Sequence, residues 1–198
     1  MRRSLSLIAL FLIVPLSLSA SQFIEQSFDQ VAREASLVVR GTVEHTWSAW
    51  DDSHEIIFTY ATVRVSRYFG ETTGPDTIVV REVGGTVDGY TQEAIGFPVI
   101  RRGEDVVLLL ARWDDGDEYR IHAYNQGKYL VKKFGGAKEI LIEDPVKQGD
   151  ERLGHDHDRG PRTNAVDESA MAGLDIEEFA QMVEDARADR RGDVSKRQ

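Results

Sequence analysis

Polar and apolar residues alternate along much of the chain between residues 36 and 142, as in strands that have one buried and one solvated face. The alternation is clearest over residues 55–68 (EIIFTYATVRVSRY). Further strands are predicted at residues 36–43, 76–83, 104–113, 119–124, 128–134 and 139–142, between turns rich in Gly and Asp. Residues 104–113 (EDVVLLLARW) are almost continuously apolar, so we expect a central strand that is buried on both faces.

Helical periodicity appears at the two ends of the chain. Ile24, Phe28, Val31 and Ala35 share one face and predict a helix over residues 22–34. Near the carboxyl terminus, Asp175 and Glu178 have the spacing of a capping box. The apolar stripe of the helix that follows consists of Ile176, Phe179, Met182, Val183 and Ala186. The pattern therefore predicts a mainly β fold, a small antiparallel OB-like barrel of six to seven strands with a helix at each end of the chain.

The first twenty residues have the pattern of a cleavable signal peptide. Arg2 and Arg3 precede an apolar, uncharged stretch over residues 4–18, and small residues surround Ala20. This stretch of about 15 residues is shorter than the roughly 20 that a membrane-spanning helix needs. We therefore expect cleavage after Ala20, a secreted or periplasmic protein, and no membrane span after cleavage.

The composition divides the chain into four parts. We predict a signal peptide at residues 1–20 and a β-barrel domain with its N-terminal helix at residues 21–143. Residues 144–169 are rich in Asp, Arg, Gly and His and are typical of a linker. Residues 170–198 form the C-terminal amphipathic helix and a charged tail.

Charge and cysteine content restrict the partners. The formal net charge is −10, and it becomes −12 when the signal peptide removes Arg2 and Arg3. Such a surface repels nucleic acid and anionic membranes, so neither is expected as a partner. The chain has no Cys, which favours a prokaryotic source because exported eukaryotic domains usually carry disulfides. The sequence leaves the oligomeric state open.

No catalytic motif is present in the sequence. His54-Glu55 begins like the zinc-protease motif HExxH, but Phe58 stands where the second His is required. Residues 155–158 (HDHD) alternate metal-ligating side chains, yet they lie in the predicted linker, which would not hold ligands in place. We therefore expect no cofactor and no metal site, and the sequence favours a non-enzymatic protein.

The candidate ligand-binding residues are aromatic and acidic side chains in two predicted loops. The first is a polar loop at residues 45–53, and the second is a glycine-rich connection at residues 84–98. The candidates are Trp47, Trp50, Asp51, Asp52, Tyr90 and Phe97. Loops often carry function, and Trp and Tyr often anchor interfaces. The alternative is that these aromatics close the barrel ends and serve stability alone.

Four segments resemble strands of secreted prokaryotic proteins of unknown function. They are ASLVVRGTV, the strand ending in RVSRYFG, DTIVVREVGG and GEDVVLLLARW. More distantly, they resemble the netrin-like domain of tissue inhibitors of metalloproteinases, over residues 35–131. The resemblance implies an OB-type barrel. The inhibitors chelate the protease zinc through an amino-terminal cysteine, which this chain lacks, so the resemblance implies no inhibitory role for any residue here.

Together these patterns favour an exported, non-enzymatic module that binds a protein, peptide or glycan. The alternatives are an enzyme or metalloenzyme subunit with an unrecognised site, and an envelope structural protein. A pocket that gathers His45, His54, Asp51 and Asp52 would favour the enzyme. An exposed aromatic surface would favour binding.

The export hypothesis predicts that the mature protein from its native host begins near Ser21. Mass spectrometry of the exported protein should find no peptide from residues 1–20. Ala20→Leu should slow cleavage, because signal peptidase requires a small residue at this position. Protein that is found solely in the cytoplasm with Met1 intact would contradict the hypothesis.

Overall fold

The computed structural model describes residues 26–70, 73–134, 138–143 and 173–195. Within these residues the chain forms two helices and nine strands. In chain order they are α1 (Phe28–Glu34), β1 (Leu37–Trp50), β2 (Ile57–Tyr68), β3 (Thr77–Val83), β4 (Gly85–Val87), β5 (Tyr90–Gln92), β6 (Asp105–Arg112), β7 (Tyr119–Ile121), β8 (Lys128–Phe134), β9 (Lys138–Glu143) and α2 (Ile176–Ser195). The predicted signal peptide and linker lie outside the described residues.

Five of the strands close into a barrel. β1 pairs with β2 along one edge and with β6 along the other, and β2 pairs with β3. β7 completes the ring between β3 and β6. The order β1-β2-β3-β7-β6 and back to β1 is that of an OB-like barrel, so the prediction of a mainly β, OB-like fold is confirmed. One pair differs from the predicted antiparallel arrangement, because β7 runs parallel to β3.

The remaining strands extend this barrel. β8 pairs with β6, and β9 pairs with β8, so together they continue the sheet beyond the ring. β4 and β5 form a separate hairpin within the segment predicted to be a glycine-rich connection.

The predicted strand at residues 119–124 ends earlier than expected. β7 stops at Ile121, and Ala123 and Tyr124 have φ angles of 55° and 57°. These left-handed conformations are incompatible with a continuing strand. The chain turns through a short 3₁₀ segment at Tyr124–Gly127, after which β8 begins beside β6.

Two irregularities in β1 allow it to pair with both β2 and β6. The β1–β2 register shifts between Arg40 and Gly41 and again between Val43 and His45, as at β-bulges, which bend a strand and increase its twist. Gly41 lies directly against β2, and a Cβ atom there would come 2.5 Å from the Arg64 carbonyl oxygen. Glycine is therefore required at this bend.

β6 is buried on both faces, as the sequence predicts. Val106, Leu108 and Leu110 point into the barrel interior. Val107 and Leu109 point outward, into a second cluster that lies beneath the two helices. A continuously apolar strand suits this position because both of its faces are removed from water.

The helices pack together on the outside of the barrel. The predicted helix over residues 22–34 is confirmed in part, because α1 begins at Phe28, where the Ser27 side chain caps it by accepting from the Gln30 N–H. Phe179 of α2 lies between Phe28 of α1, Phe69 after β2 and Tyr129 of β8, with ring centroids 5.3 to 6.0 Å apart. The Arg187 side chain donates hydrogen bonds to carbonyls at the end of α1. Neither described helix is long and apolar enough to cross a membrane.

The start of α2 is capped as predicted. The Asp175 carboxylate accepts from the Glu177 N–H at 2.9 Å, and the Asp175 N–H donates to the Glu178 carboxylate at 3.2 Å. This reciprocal pair satisfies backbone donors that would otherwise lack partners at the helix start.

A buried lysine holds the segment between β5 and β6. Lys128 is fully buried, and its Nζ lies 2.8 Å from a Glu104 carboxylate oxygen. Nζ also donates to the Val99 carbonyl. A buried charge is costly unless it is paired, so these contacts fix the segment that leads into β6.

A buried carboxyl group completes the junction between β3 and β7. The backbone pairing between these strands is confined to Val80 and Tyr119. Beyond that point, the Glu82 side chain accepts a hydrogen bond from the Ile121 N–H. Burial raises the pKa of Glu82 to about 8, although the hydrogen bond from Ile121 and the charge of Arg120 act in the opposite direction.

Glu82 should make the stability of the protein depend on pH. Its pKa rises from 4.5 to about 8 on folding, so between these values the folded state binds more protons than the unfolded state. The free energy of unfolding should therefore fall as the pH rises, by roughly 3 kcal/mol between pH 5 and pH 8. Glu82→Gln keeps an acceptor for Ile121 and should remove this dependence in urea unfolding. The exposed control Glu93→Gln should retain it, and unchanged pH dependence in Glu82→Gln would contradict the assignment.

α2 should contribute to the stability of the barrel itself. Phe179 is fully buried among aromatic rings, so Phe179→Ala should lower the free energy of unfolding by roughly 3–5 kcal/mol. Glu184→Ala, on the exposed side of the same helix, should change it by about 0.5 kcal/mol or less. Urea unfolding of the full chain measures both. A cost below about 1 kcal/mol for Phe179→Ala would mean that α2 is dispensable for the fold.

Candidate functional site

Trp47 and Trp50 lie in a strand, so their predicted placement in a loop is wrong. β1 continues to Trp50, and the connection to β2 covers residues 51–56. Trp47 pairs with Tyr60 and Trp50 with Ile57, and aromatic and β-branched partners of this kind stabilise antiparallel pairs. Ser48, which gives the segment its polar character, pairs with Thr59 across the two strands.

The two tryptophans lie on opposite faces of the β1–β2 hairpin. They are three residues apart, and alternate residues of a strand point to opposite sides. Trp50 packs beside His54 and Tyr90, with ring centroids 6.3 Å and 6.1 Å away. Trp47 packs instead beside His45, at 5.6 Å. The two residues therefore cannot contact the same small ligand.

The other predicted site residues do not lie together in one place either. Asp51 holds its own turn, since its carboxylate accepts hydrogen bonds from the Ile56 N–H, the Ser53 hydroxyl and the Glu55 N–H. The same hydrogen bonds, led by that of Ile56, lower the pKa of Asp51 to about 2. Asp52 is exposed in the same turn.

Phe97 belongs to a different part of the surface. Its ring packs edge-to-face against Tyr124, with the centroids 4.9 Å apart. Tyr90, at the start of β5, contacts Trp50 and is 68% exposed. The six predicted residues are thus divided among three places: Trp47 on one face of the hairpin, Trp50 and Tyr90 on the other with the Asp51 turn, and Phe97 beside Tyr124.

A continuous row of side chains follows the outer surface of β1, β2 and β3 and reaches the end of β6. We call it the outer aromatic face. It consists of His45, Trp47, Phe58, Tyr60, Arg81 and Trp113. The strand register produces the row, because Trp47 lies opposite Tyr60 and Tyr60 lies opposite Arg81.

The first half of the row is a stack of rings. Trp47 and Tyr60 have centroids 5.2 Å apart and planes that differ by 9°. His45 stacks on the same tryptophan at 25°. Trp47 is still 40% exposed, although most large side chains in strands are covered. The stack therefore keeps a partly exposed aromatic surface in a fixed orientation.

The second half of the row is built around Arg81. Its guanidinium carbon lies 4.9 Å from the centre of the Phe58 ring and 4.5 Å from that of Trp113. The Trp113 indole N–H donates to the Arg81 carbonyl at 2.9 Å, and Arg81 forms an ion pair with Asp115. Arg120 adds a second cation over Trp113, at 5.4 Å. These contacts hold the arginine and the rings in place before any ligand binds.

Two segments beside this row contain acidic residues but no basic ones. Residues 41–63 and 82–100 contain seven Asp and Glu residues and no Lys or Arg, although Glu82 is buried with a raised pKa and Glu44 forms an ion pair with Arg64. The fold brings the two segments together, since β4 crosses the β1–β2 hairpin. Gly85, with φ 142°, makes this close approach possible, because a Cβ there would lie 2.5 Å from the Ser48 hydroxyl oxygen. We call these two segments the acidic lobe.

The outer aromatic face and the acidic lobe provide a contact surface and charged side chains. Among the described residues, no group of three or more His, Cys, Asp or Glu side chains is arranged to hold a metal ion. The predicted linker cluster at residues 155–158 lies outside the described residues. Of the four side chains that would have favoured an enzyme, Asp51, Asp52 and His54 share one turn, whereas His45 stacks on Trp47 on the opposite face of the hairpin from His54.

Sequence reasoning missed four members of the outer aromatic face, namely Phe58, Tyr60, Arg81 and Trp113. Alternation did place Phe58 and Tyr60 on one face of the same predicted strand. The missing information was which strand lies beside which, because Arg81 and Trp113 join the row only through the pairing of β2 with β3 and the closure of the barrel.

No protein-family model matches this chain, and no curated protein is significantly similar to it. The function is therefore inferred from the geometry of the outer aromatic face and the acidic lobe.

Proposed function

We propose that this protein is an exported, non-enzymatic module that binds another protein through the outer aromatic face. The observation that carries the proposal is the fixed row of Trp47, Tyr60, Arg81 and Trp113 on one outer surface, in which Trp47 is 40% exposed and the other three are partly buried. Trp, Tyr and Arg are the residues that most often dominate binding energy at protein interfaces. Side chains that are already ordered lose little conformational entropy on binding.

The shape of the surface favours a protein over a small molecule. Small ligands usually bind in concave pockets, whereas this row lies on the outside of a barrel. The barrel interior is filled by buried side chains such as Val63 and Leu108. A partner must therefore use the outer surface or the loops.

A protein or peptide partner is also favoured over a glycan. Sugar rings bind aromatic side chains through an open ring face. In the stack of His45, Trp47 and Tyr60, the rings of Trp47 and Tyr60 lie nearly parallel, so each covers part of the other's face. Aromatic edges carry partial positive charge and pack well against other side chains and carbonyl groups.

The proposed export rests on the N-terminal pattern described above, and the netrin-like resemblance stays a proposal about the fold alone. Fold similarity does not imply function. The enzyme hypothesis is less well supported, because His45 lies on the opposite face of the hairpin from His54 and the Asp51 turn.

A photo-crosslinker at the outer aromatic face tests the proposal. The full chain, with p-benzoylphenylalanine at Ala49 beside Trp47, should give one dominant crosslinked adduct when it is expressed in the native host and irradiated. The same reagent at Gln181, exposed on α2, is the matched control and should not give that adduct. Equal adducts from both positions, or none from position 49, would contradict the proposal.

Truncation at the same face separates binding from stability. Trp47 is partly exposed, so Trp47→Ala should lower the free energy of unfolding by about 1 kcal/mol, chiefly through the lost stacking on Tyr60. It should nevertheless abolish the adduct formed by a crosslinker at the neighbouring position Ala49. A loss of about 3 kcal/mol or more with unchanged crosslinking would make Trp47 a structural residue.

A further inference from the structure

The distal part of β1 has one unpaired edge. Residues 37–42 pair with β6 on the edge away from β2, and Val43 still bonds to the backbone of Gly103 and Glu104. From Glu44 to Trp50, no strand in the described part of the chain lies along that edge. Among the strands that the structure describes, only β2 runs alongside this half of β1.

The alternation of hydrogen-bonded and non-hydrogen-bonded pairs between β1 and β2 shows which backbone groups of β1 point away from β2. The Asp51 N–H donates to the Ile56 carbonyl at 2.8 Å, at the end of the ladder. Hydrogen-bonded and non-hydrogen-bonded positions alternate in an antiparallel pair, and the register is regular from His45 onward. The N–H and C=O groups that point away from β2 therefore belong to Thr46, Ser48 and Trp50.

This edge lacks the features that usually protect an exposed strand. Natural proteins protect edges with Lys, Pro, a bulge or a very short strand. Residues 45–50 (HTWSAW) contain neither Lys nor Pro, and the register shifts of β1 all precede this stretch. The edge is thus a regular, six-residue template for another strand.

The charge around the edge indicates what could occupy it. Asp51, Asp52 and Glu55 lie in the turn at one end of the free stretch, whereas Glu44 at its other end forms an ion pair with Arg64. A second copy of this chain would bring the same carboxylates together, which is unfavourable. A strand that carries Lys or Arg would instead be complementary.

The two faces of the hairpin would contact alternate side chains of such a strand. One set would lie beside His45 and Trp47, and would lengthen the outer aromatic face by one strand. The other set would lie on the side of Trp50 and Tyr90, whose rings are in contact. Aromatic neighbours of this kind favour long or β-branched side chains on the added strand.

We propose that the partner contributes an extended, basic segment of about six residues, which adds to the free edge of β1 and pairs with Thr46, Ser48 and Trp50. This inference rests on the proposed function for the existence of a protein partner, and it specifies how that partner binds. Backbone hydrogen bonds supply affinity that does not depend on side chains, and the acidic lobe selects for positive charge.

The probe for this proposal is a fluorescein-labelled decapeptide of alternating Val and Lys, with a Val/Glu peptide as its charge-reversed counterpart. The full chain should bind the Val/Lys peptide, and the Val/Glu peptide should bind at least about tenfold more weakly. Thr46→Pro removes one free N–H and obstructs the edge, so it should raise the Kd of the Val/Lys peptide by about tenfold or more. Thr46→Val keeps the N–H and should leave the Kd within about twofold.

Amide exchange measured by NMR tests the pairing without any substitution. In the free protein, the amides of Thr46, Ser48 and Trp50 should exchange quickly, and saturating Val/Lys peptide should slow them by at least about tenfold. The amides of Trp47 and Ala49 point toward β2 and should be slow in both states. Slow exchange of the first three in the free protein would overturn the proposal, because the edge would already be occupied.

The remaining outcomes separate this inference from the proposed function. If Trp47→Ala abolishes peptide binding but Thr46→Pro does not, the aromatic face binds and strand addition is wrong. If Thr46→Pro abolishes peptide binding and Trp47→Ala does not, strand addition is supported and the role proposed for Trp47 is wrong. Absence of binding at millimolar peptide, or concentration-dependent dimers that protect the three amides, would overturn the inference.

Discussion

The bending of β1 is the constraint on which the rest of the structure depends. A single strand pairs with β6 over its first half and with β2 over nearly its whole length, and this double pairing closes the barrel. It is possible because the strand bends at its two register shifts and because Gly41 allows it to approach Arg64 closely. The bend also directs the second half of β1 out of the ring. The long hairpin that results, with its aromatic surfaces and its unpaired edge, is therefore a direct consequence of how the barrel closes.

The two faces of β6 divide the molecule into an interior and a helical side. Alternate residues of β6 fill the barrel interior, and the remaining residues of β6 pack against α1 and α2. The helices consequently cover one side of the barrel, and they leave the outer surface of β1, β2 and β3 open. Arg67 and Glu177 form an ion pair between β2 and α2 at the border between the two sides. The position of the outer aromatic face thus follows from where the helices are anchored.

Local alternation was enough to predict most strands, because each has one face in the core. It placed β2, β3, β6 and β8 within one or two residues of their bounds, and it identified β6 as the strand buried on both faces. It failed at residues 46–50, since Thr46 and Ser48 made the segment resemble a loop. Their polar side chains are accommodated because Ser48 pairs with Thr59 across the hairpin. That partner is known only once the register is known.

The candidate site could be predicted only in part, because its members come together only through the pairing of strands. Trp47 was identified as an exposed aromatic, but its neighbours come from β2, β3 and the end of β6, which are distant in sequence. Trp50 and Asp51 were grouped with it because they are close in sequence, yet strand alternation and the turn separate them. Proximity in a strand-rich protein depends on pairing between strands, and single-sequence patterns carry little information about pairing.

The unpaired edge of β1 also bears on how this protein avoids aggregation. An exposed, regular strand edge with aromatic neighbours can recruit other copies of the same strand, and it lacks the lysine or proline that usually prevents this. Repulsion between the Asp51, Asp52 and Glu55 carboxylates of two such copies would oppose this pairing. Such repulsion is screened beyond about 8 Å at physiological ionic strength and over shorter distances in stronger salt. Concentrated salt would therefore weaken two interactions at the same time, the attraction to a basic strand and the repulsion between two copies of this chain. The same carboxylates would thus select the partner and keep the copies apart.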